Sequence, residues 1–117
     1  MASEPPACVF CRIRDGEIPS EFVYEDDRSF VIRDINPQAP THLLVIPKEH
    51  IEAVSTLTPA SLPLMGYLTG VANNVAKTAG IANSGYRLVL NDGPDARNEV
   101  PHLHLHVLGG KLLGYLG

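Results

Sequence analysis

Apolar positions change their period several times along this chain, and each change marks an element. "EFVYEDD" (21–27) and "SFVIRDI" (29–35) are short apolar–aromatic runs parted by Asp26, Asp27 and Arg28, which predicts a β-hairpin. "THLLVIPKEH" (41–50) is nearly continuous in apolar residues until Pro47, where a missing ladder donor should stop a third strand. The period then lengthens. Leu64, Leu68, Val71 and Val75 recur at three- and four-residue spacing, with Ala72, Ala76 and Ala79 beside them, so an amphipathic helix is expected over 64–79. Thr58-Pro59 or Ser61 would open it, Pro63 blurs its start, and Gly80 closes it. "GYRLVLND" (85–92) reads as a strand, "GPDARNEVP" (93–101) as a loop, and "HLHLHVLGG" (102–110) as a final strand. Residues 8–14 suggest a short helical turn ended by "DGEIP". Strands joined by short turns, with one clearly two-faced helix, predict an α+β fold with a mostly antiparallel sheet. No repeat, linker or low-complexity block divides the chain, so residues 1–117 are read as one domain.

The final strand carries an unusual alternation. His102, His104 and His106 occupy every second position, with Leu103, Leu105 and Val107 between them. Side chains of a strand alternate between faces, so the imidazoles should share one face and the aliphatic residues the other. The aliphatic face belongs against the helix. A solvated face that happens to carry imidazoles is the plain alternative, but three neighbouring histidines would repel one another when protonated. Neutral imidazoles converging on one spot suit metal ligation, nucleophilic catalysis or both.

Composition narrows the partners. With 44% hydrophobic and 19% charged residues and a mean hydropathy near zero, the chain reads as a globular protein. A net charge of −4 and a pI near 5.6 argue against a nucleic-acid surface. No apolar run approaches the roughly 20 residues of a membrane helix. "MASEPPACVFC" lacks the basic and apolar regions of a signal peptide, so the cytoplasm is the expected location. The two cysteines, Cys8 and Cys11, form a C-x-x-C pair, which reads as half a metal site or as a redox motif. A redox motif would usually follow a strand, and none is expected before Cys8.

The run H102-L-H-L-H-V-L108 resembles the signature of the histidine triad (HIT) family of nucleotide hydrolases and transferases. "EIPSEFVYEDDRSFVIRDINPQAPTHLLVIPKEHI" and "GYRLVLNDG" resemble segments of its phosphoramidase, or Hint-like, branch, so the likeness runs from about Cys8 to Gly110. It implies a five-stranded antiparallel sheet with one long and one short helix, and a homodimer that joins two sheets into a ten-stranded one. It also implies a nucleophile at His104, a neighbour of the phosphate oxygens and leaving group at His106, and a supporting histidine at His42. Asp34 matches the residue that accepts ribose hydroxyls. Val9, Phe10, Ile13, Ile18, Ile32 and Ile35 match an apolar slot for a base, which would favour purines; singly, each fits an ordinary core equally well. Asn91 matches an amide near the phosphate.

By the same resemblance, Cys8, Cys11, His50 and His102 would hold a structural zinc, as in several bacterial members and the related uridylyltransferases. A Cys2His2 set is a normal closed zinc site. The plain alternative is a pair of reduced thiols. The chain departs from the branch in the loop before the triad, where Arg97-Asn98-Glu99 stands in place of a Gly-Gln-Ser type sequence. Arg97 offers a cation to phosphate, while Glu99 adds negative charge or, if protonated, a proton donor; the plain alternative is a solvated loop glutamate with no role.

The expected activity is hydrolysis of nucleoside 5′-monophosphate derivatives, above all adenosine phosphoramidates, through a covalent nucleotidyl-histidine. Hydrolysis of dinucleoside polyphosphates or nucleotidyl transfer is the nearest alternative. A non-catalytic nucleotide- or zinc-binding regulatory module is the alternative of another class. Neither a G-x-x-x-x-G-K-[ST] loop nor a G-x-G-x-x-G turn is present to hold phosphates.

Overall fold

A computed structural model describes residues 8–116. The elements in order are α1 (Val9–Arg14), β1 (Tyr24–Glu25), β2 (Ser29–Arg33), β3 (Thr41–Pro47), α2 (Pro63–Thr78), β4 (Tyr86–Val89) and β5 (Leu105–Gly109), with 3-10 turns at Val54–Thr56 and Pro94–Ala96. The strands form one five-stranded sheet in the order β1-β2-β3-β5-β4. Every pairing in it is antiparallel.

Each face of the sheet has its own apolar layer. Val31, Leu43, Val45, Leu105 and Val107 point to one side, where Leu64, Leu68, Val71, Ala72, Val75 and Ala76 of α2 bury against them. This is the expected seating of the aliphatic positions of the last strand on the helix. On the other side, Phe30, Ile32, Leu44 and Ile46 pack under Phe10 and the two cysteines of α1. The apolar run of β3 is continuous because both of its faces are covered.

Local chemistry sets the limits of α2. It begins at Pro63, in the first turn, where the absent N–H is no loss. At its end Ile81 N–H reaches the Ala76 carbonyl and Gly80 N–H the Lys77 carbonyl, a cap that needs the left-handed φ of 79° held by Gly80. Ile81 then turns back under β5, and a Cβ on Gly109 would lie 2.9 Å from its Cδ1, so a larger residue there would push the Ile81 side chain aside.

The hairpin turn is tied to the helix layer by Asp26. Its Oδ1 accepts from the N–H groups of Arg28 and Ser29 at 2.8 Å each and from the Ser29 hydroxyl at 3.1 Å. Its Oδ2 accepts from Tyr24, at 2.8 Å, and from Tyr67 of α2. Burial pushes this carboxyl up, yet the donors from Tyr67, Arg28, Tyr24 and Ser29 outweigh it and hold the group well below the usual carboxylate range. The same bond, with burial, pushes Tyr67 up to about 12.

One expectation is corrected. The last strand does not begin at His102; the ladder starts at Leu105, opposite Val45. Extending it would require Pro47, which has no N–H and whose carbonyl is taken by the His102 ring at 2.9 Å. Residues 101–104 run on as irregular chain and still deliver His102 and His104 to the α1 side, where Phe10 meets both rings.

Candidate functional site

The sheet register assembles one cluster. His42 pairs with Leu108 and Leu44 with His106, which makes His42 and His106 diagonal neighbours on one face. Their rings meet at 2.9 Å, His42 Nε2 to His106 Nδ1. The backbone bond from Asp34 N–H to the His42 carbonyl continues the β2–β3 pairing and brings the Asp34 carboxylate to 3.4 Å from His42 Nε2.

The ring hydrogens follow from fixed partners. The backbone N–H of Gln38 donates to His42 Nδ1 at 3.0 Å, so neutral His42 carries its hydrogen on Nε2. That hydrogen points to His106 Nδ1, which leaves His106 with its own hydrogen on Nε2. The Asn91 amide lies 3.5 Å from this nitrogen. His104 donates from Nδ1 to the His102 carbonyl at 2.7 Å, leaving the Nε2 lone pair free. A neutral imidazole in this state is a competent nucleophile near pH 7.

Burial keeps these rings neutral. It lowers His106 to about 4, with His104 and His42 adding to the effect and Asp34 opposing it. It also lowers His104, against the His102 carbonyl and Asp34, and His42, against Asp34.

A second cluster lies next to the first. Cys8 Sγ is 3.3 Å from His102 Nδ1, Cys11 Sγ is 3.2 Å from His50 Nδ1 and 3.6 Å from His102 Nδ1, and the two Nδ1 atoms are 3.0 Å apart. With Zn–N about 2.0 Å and Zn–S about 2.3 Å, a tetrahedron has N–N edges of roughly 3.3 Å and N–S edges of roughly 3.5 Å. The cluster fits a structural zinc. His102 Nε2 donates to the Pro47 carbonyl, which frees Nδ1 as a ligand, and burial lowers the ring to about 4 against that bond. Both cysteines are 4% exposed, and Cys8 Sγ also accepts the Cys11 N–H that caps α1.

Asp34, His42 and His106 also converge closely enough to suggest a metal. The Gln38 N–H argues against one, because a metal on His42 Nε2 would leave that ring with no hydrogen on either nitrogen. This cluster is built for hydrogen bonds.

The other expected residues divide. Val9, Phe10, Ile13 and Ile32 come together in the apolar layer between α1 and the sheet. Ile18 is half-buried outside both layers, and Ile35 is fully exposed, so neither walls an enclosed slot in the single chain. Arg97 and Glu99 are exposed and Asn98 half-buried in the loop before the triad. A cleft of about 390 Å³ touches Asp34 and His42, but Val23, Leu43, Thr78 and Ala79 line it and neither His104 nor His106 does. Sequence reasoning did not find the backbone groups of Gln38 and Pro47 that set the tautomers, because every residue carries the same backbone.

Residues 15–112 match the family model of the HIT domain. The chain belongs to the HIT family. Among similar solved structures is a HIT family hydrolase from Clostridium thermocellum, 45% identical, covering 97% of this chain and 98% of that one with a TM-score of 0.93. A histidine triad protein from Clostridium difficile is 41% identical over 97% and 99% of the two chains, also with a TM-score of 0.93. A 14 kDa zinc-binding protein of Zea mays is 44% identical over 109 residues, 92% of this chain and 84% of that protein. This HIT protein has no helix among its described residues long and apolar enough to cross a membrane.

Proposed function

We propose that this HIT protein is a hydrolase of nucleoside 5′-monophosphate derivatives, purine-preferring and directed to P–N linkages, which works through a covalent nucleotidyl-His104. The observation that carries the reading is the 2.7 Å hydrogen bond from His104 Nδ1 to the His102 carbonyl. It fixes the tautomer and turns Nε2 into the nucleophile. Nε2 attacks the α-phosphorus and the bond to the leaving group breaks. The positive charge that develops on the His104 ring is met by the carbonyl behind Nδ1–H. Water then attacks the phosphorus, its proton going to the group that protonated the leaving amine, and His104 and the nucleoside monophosphate are freed.

His106 presents its Nε2 hydrogen to a phosphate oxygen. A neutral imidazole that surrendered this hydrogen would become an imidazolate, so His106 stabilises charge and is not the proton source. A departing amine still needs a proton. Glu99 is assigned that role, with Arg97 and Asn98 beside the phosphate. Asp34 takes the ribose hydroxyls, and Val9, Phe10, Ile13 and Ile32, with Ile18 and Ile35 at the rim, take the base.

The hydrolase named from Clostridium thermocellum supports the reaction class, and the zinc-binding protein of Zea mays supports one zinc held by Cys8, Cys11, His50 and His102. Edge strand β4, with Leu88 partly exposed, and the exposed Tyr115 and Leu116 of the tail support a homodimer through that edge.

Brief incubation with an adenosine phosphoramidate and acid-free mass spectrometry should find a nucleotidyl adduct on His104. The His104→Ala chain should lose turnover while still binding nucleoside monophosphate, because base and ribose contacts lie elsewhere. Turnover within about tenfold of the parent would refute the covalent route.

A further inference from the structure

The peptide unit between His102 and Leu103 is the hinge of the site. Its carbonyl accepts the His104 Nδ1 hydrogen at 2.7 Å, and its N–H donates to the Ile51 carbonyl at 2.6 Å. No sheet ladder holds it, since β5 pairs only from Leu105 onward. The cysteine–histidine cluster holds it, together with the Pro47 carbonyl on His102 Nε2 and the burial of Leu103 in the helix-side layer. The His102 ring is gripped by Cys8, Cys11 and His50, and Ile51 follows His50 directly. The turn that carries both cysteines also carries Phe10, whose ring stands edge-on to His102 at 5.8 Å and to His104 at 5.0 Å between centroids.

We propose that the Cys8–Cys11–His50–His102 site positions the nucleophile: its closure around a metal sets the 102–103 peptide and the Phe10 ring, and these hold His104 in its Nδ1–H tautomer with Nε2 aimed outward. The four ligands are therefore positioning residues for the reaction as well as clamps for α1. The inference rests on the proposed role of His104, but its structural half stands apart from catalysis. Loss of the clasp should cost both the chemical step and base binding, because it frees the nucleophile's backbone and the α1 residues Val9, Phe10 and Ile13 together, while the ribose contact at Asp34, just past β2, lies outside the segment it orders. Misplacing a reacting atom by an ångström costs on the order of a hundredfold in rate.

The test uses the full chain, 15N-labelled at histidine, as zinc-loaded parent, as parent stripped by a chelator, and as His50→Ala and His50→Cys variants. Metal content and folding are read alongside the ring 15N signals, with His104→Asn assigning the His104 resonances. In the loaded parent His104 should be a single Nδ1–H tautomer. In the stripped parent and in His50→Ala it should become a tautomer mixture, with kcat lowered about tenfold to a hundredfold; KM should rise as well, because the base slot includes α1. His50→Cys, which keeps four ligands, should restore both the metal and the single tautomer. A folded, metal-free chain that retains the single tautomer would overturn the proposal. If removing the metal unfolds the chain, cadmium exchange decides: the longer metal–sulfur bonds should shift the His104 ring signals and lower kcat, and unchanged signals and rate would overturn it. A parent with no turnover on any nucleotide would sink the proposed function, while the tautomer result would still decide the positioning.

Discussion

Asp26 gathers five hydrogen-bond donors on one carboxylate, two from the backbone of its own turn, one from Ser29 and two from phenols, one of which belongs to α2. Asp26→Asn keeps an oxygen for the backbone pair but sets an amide NH2 against both tyrosine hydroxyls. Hydrogen bonds to a charged group contribute about 1 kcal/mol more each than neutral ones. Solvent screening at this half-buried turn removes much of that difference, so the expected loss is about 1–2 kcal/mol at pH 7. Asp26→Ala, which leaves the N–H of fully buried Ser29 without its acceptor, should cost about 3 kcal/mol. Urea unfolding of the zinc-loaded chain measures both. The carboxyl is depressed in the folded state and has an ordinary value near 3.9 when unfolded, so its contribution is whole above that value and fades as the pH falls below it. Parent and Asp26→Asn curves should therefore converge in acid. Tyr67→Phe should reproduce part of the loss, and the double variant should lose less than the sum of the two. Curves that stay parallel down to pH 2, or an Asn variant within about 0.5 kcal/mol of the parent at pH 7, would refute the reasoning.

Four further outcomes follow from the site. Because burial holds His106 near 4 and lowers His104 and His42, hydrolysis of a substrate with a good leaving group, which needs no proton, should be level across pH 6–8 and fall only below that range; an inflection at the ordinary histidine value of about 6.5 would contradict it. The same shifts mean that the unfolded chain binds more protons between about pH 4 and 6.5, so stability should rise with pH across that window. Cys11→Ser should lower zinc content and melting temperature together, and a metal-free parent with two freely titrating thiols and the same melting temperature would exclude a structural zinc. Glu99→Gln should slow phosphoramidate cleavage about 10²- to 10⁴-fold and spare a substrate with a good leaving group; equal effects on both would make Glu99 a bystander.

The hairpin, β3 and α2 were legible because their apolar spacing is strong and their two faces meet different layers. The alternation at 102–106 gave the common face of the imidazoles, and the Cys8, Cys11, His50 and His102 set converges as the resemblance implied. The start of β5 was misplaced because alternation persists where the ladder stops, and nothing in "HLHLHVL" reveals that Pro47 has no N–H to offer opposite it. The tautomers were not legible at all. They depend on the Gln38 N–H and on the carbonyls of Pro47 and His102, which only the register brings to the rings. The full exposure of Ile35 was not legible for a related reason: an apolar residue beside a turn has the same letter whether it packs or, as here, stands in solvent.

Arg97 closes the Pro94–Ala96 turn with a φ of 61°, a left-handed conformation that costs a residue with a Cβ roughly 1–2 kcal/mol. The next residue, Asn98, buries its Oδ1 with no partner. Two unfavourable features in succession make this loop less committed to its resting shape than the sheet beside it. Such a segment can be rewritten residue by residue with little loss of global stability, and some changes, such as glycine at 97, would add to it. The histidine pairs have no such freedom, since a shift of one residue would turn them to the other face. The scaffold thus separates a part that can drift from a part that cannot, and under the proposed function selectivity for the leaving group lies in the part free to drift.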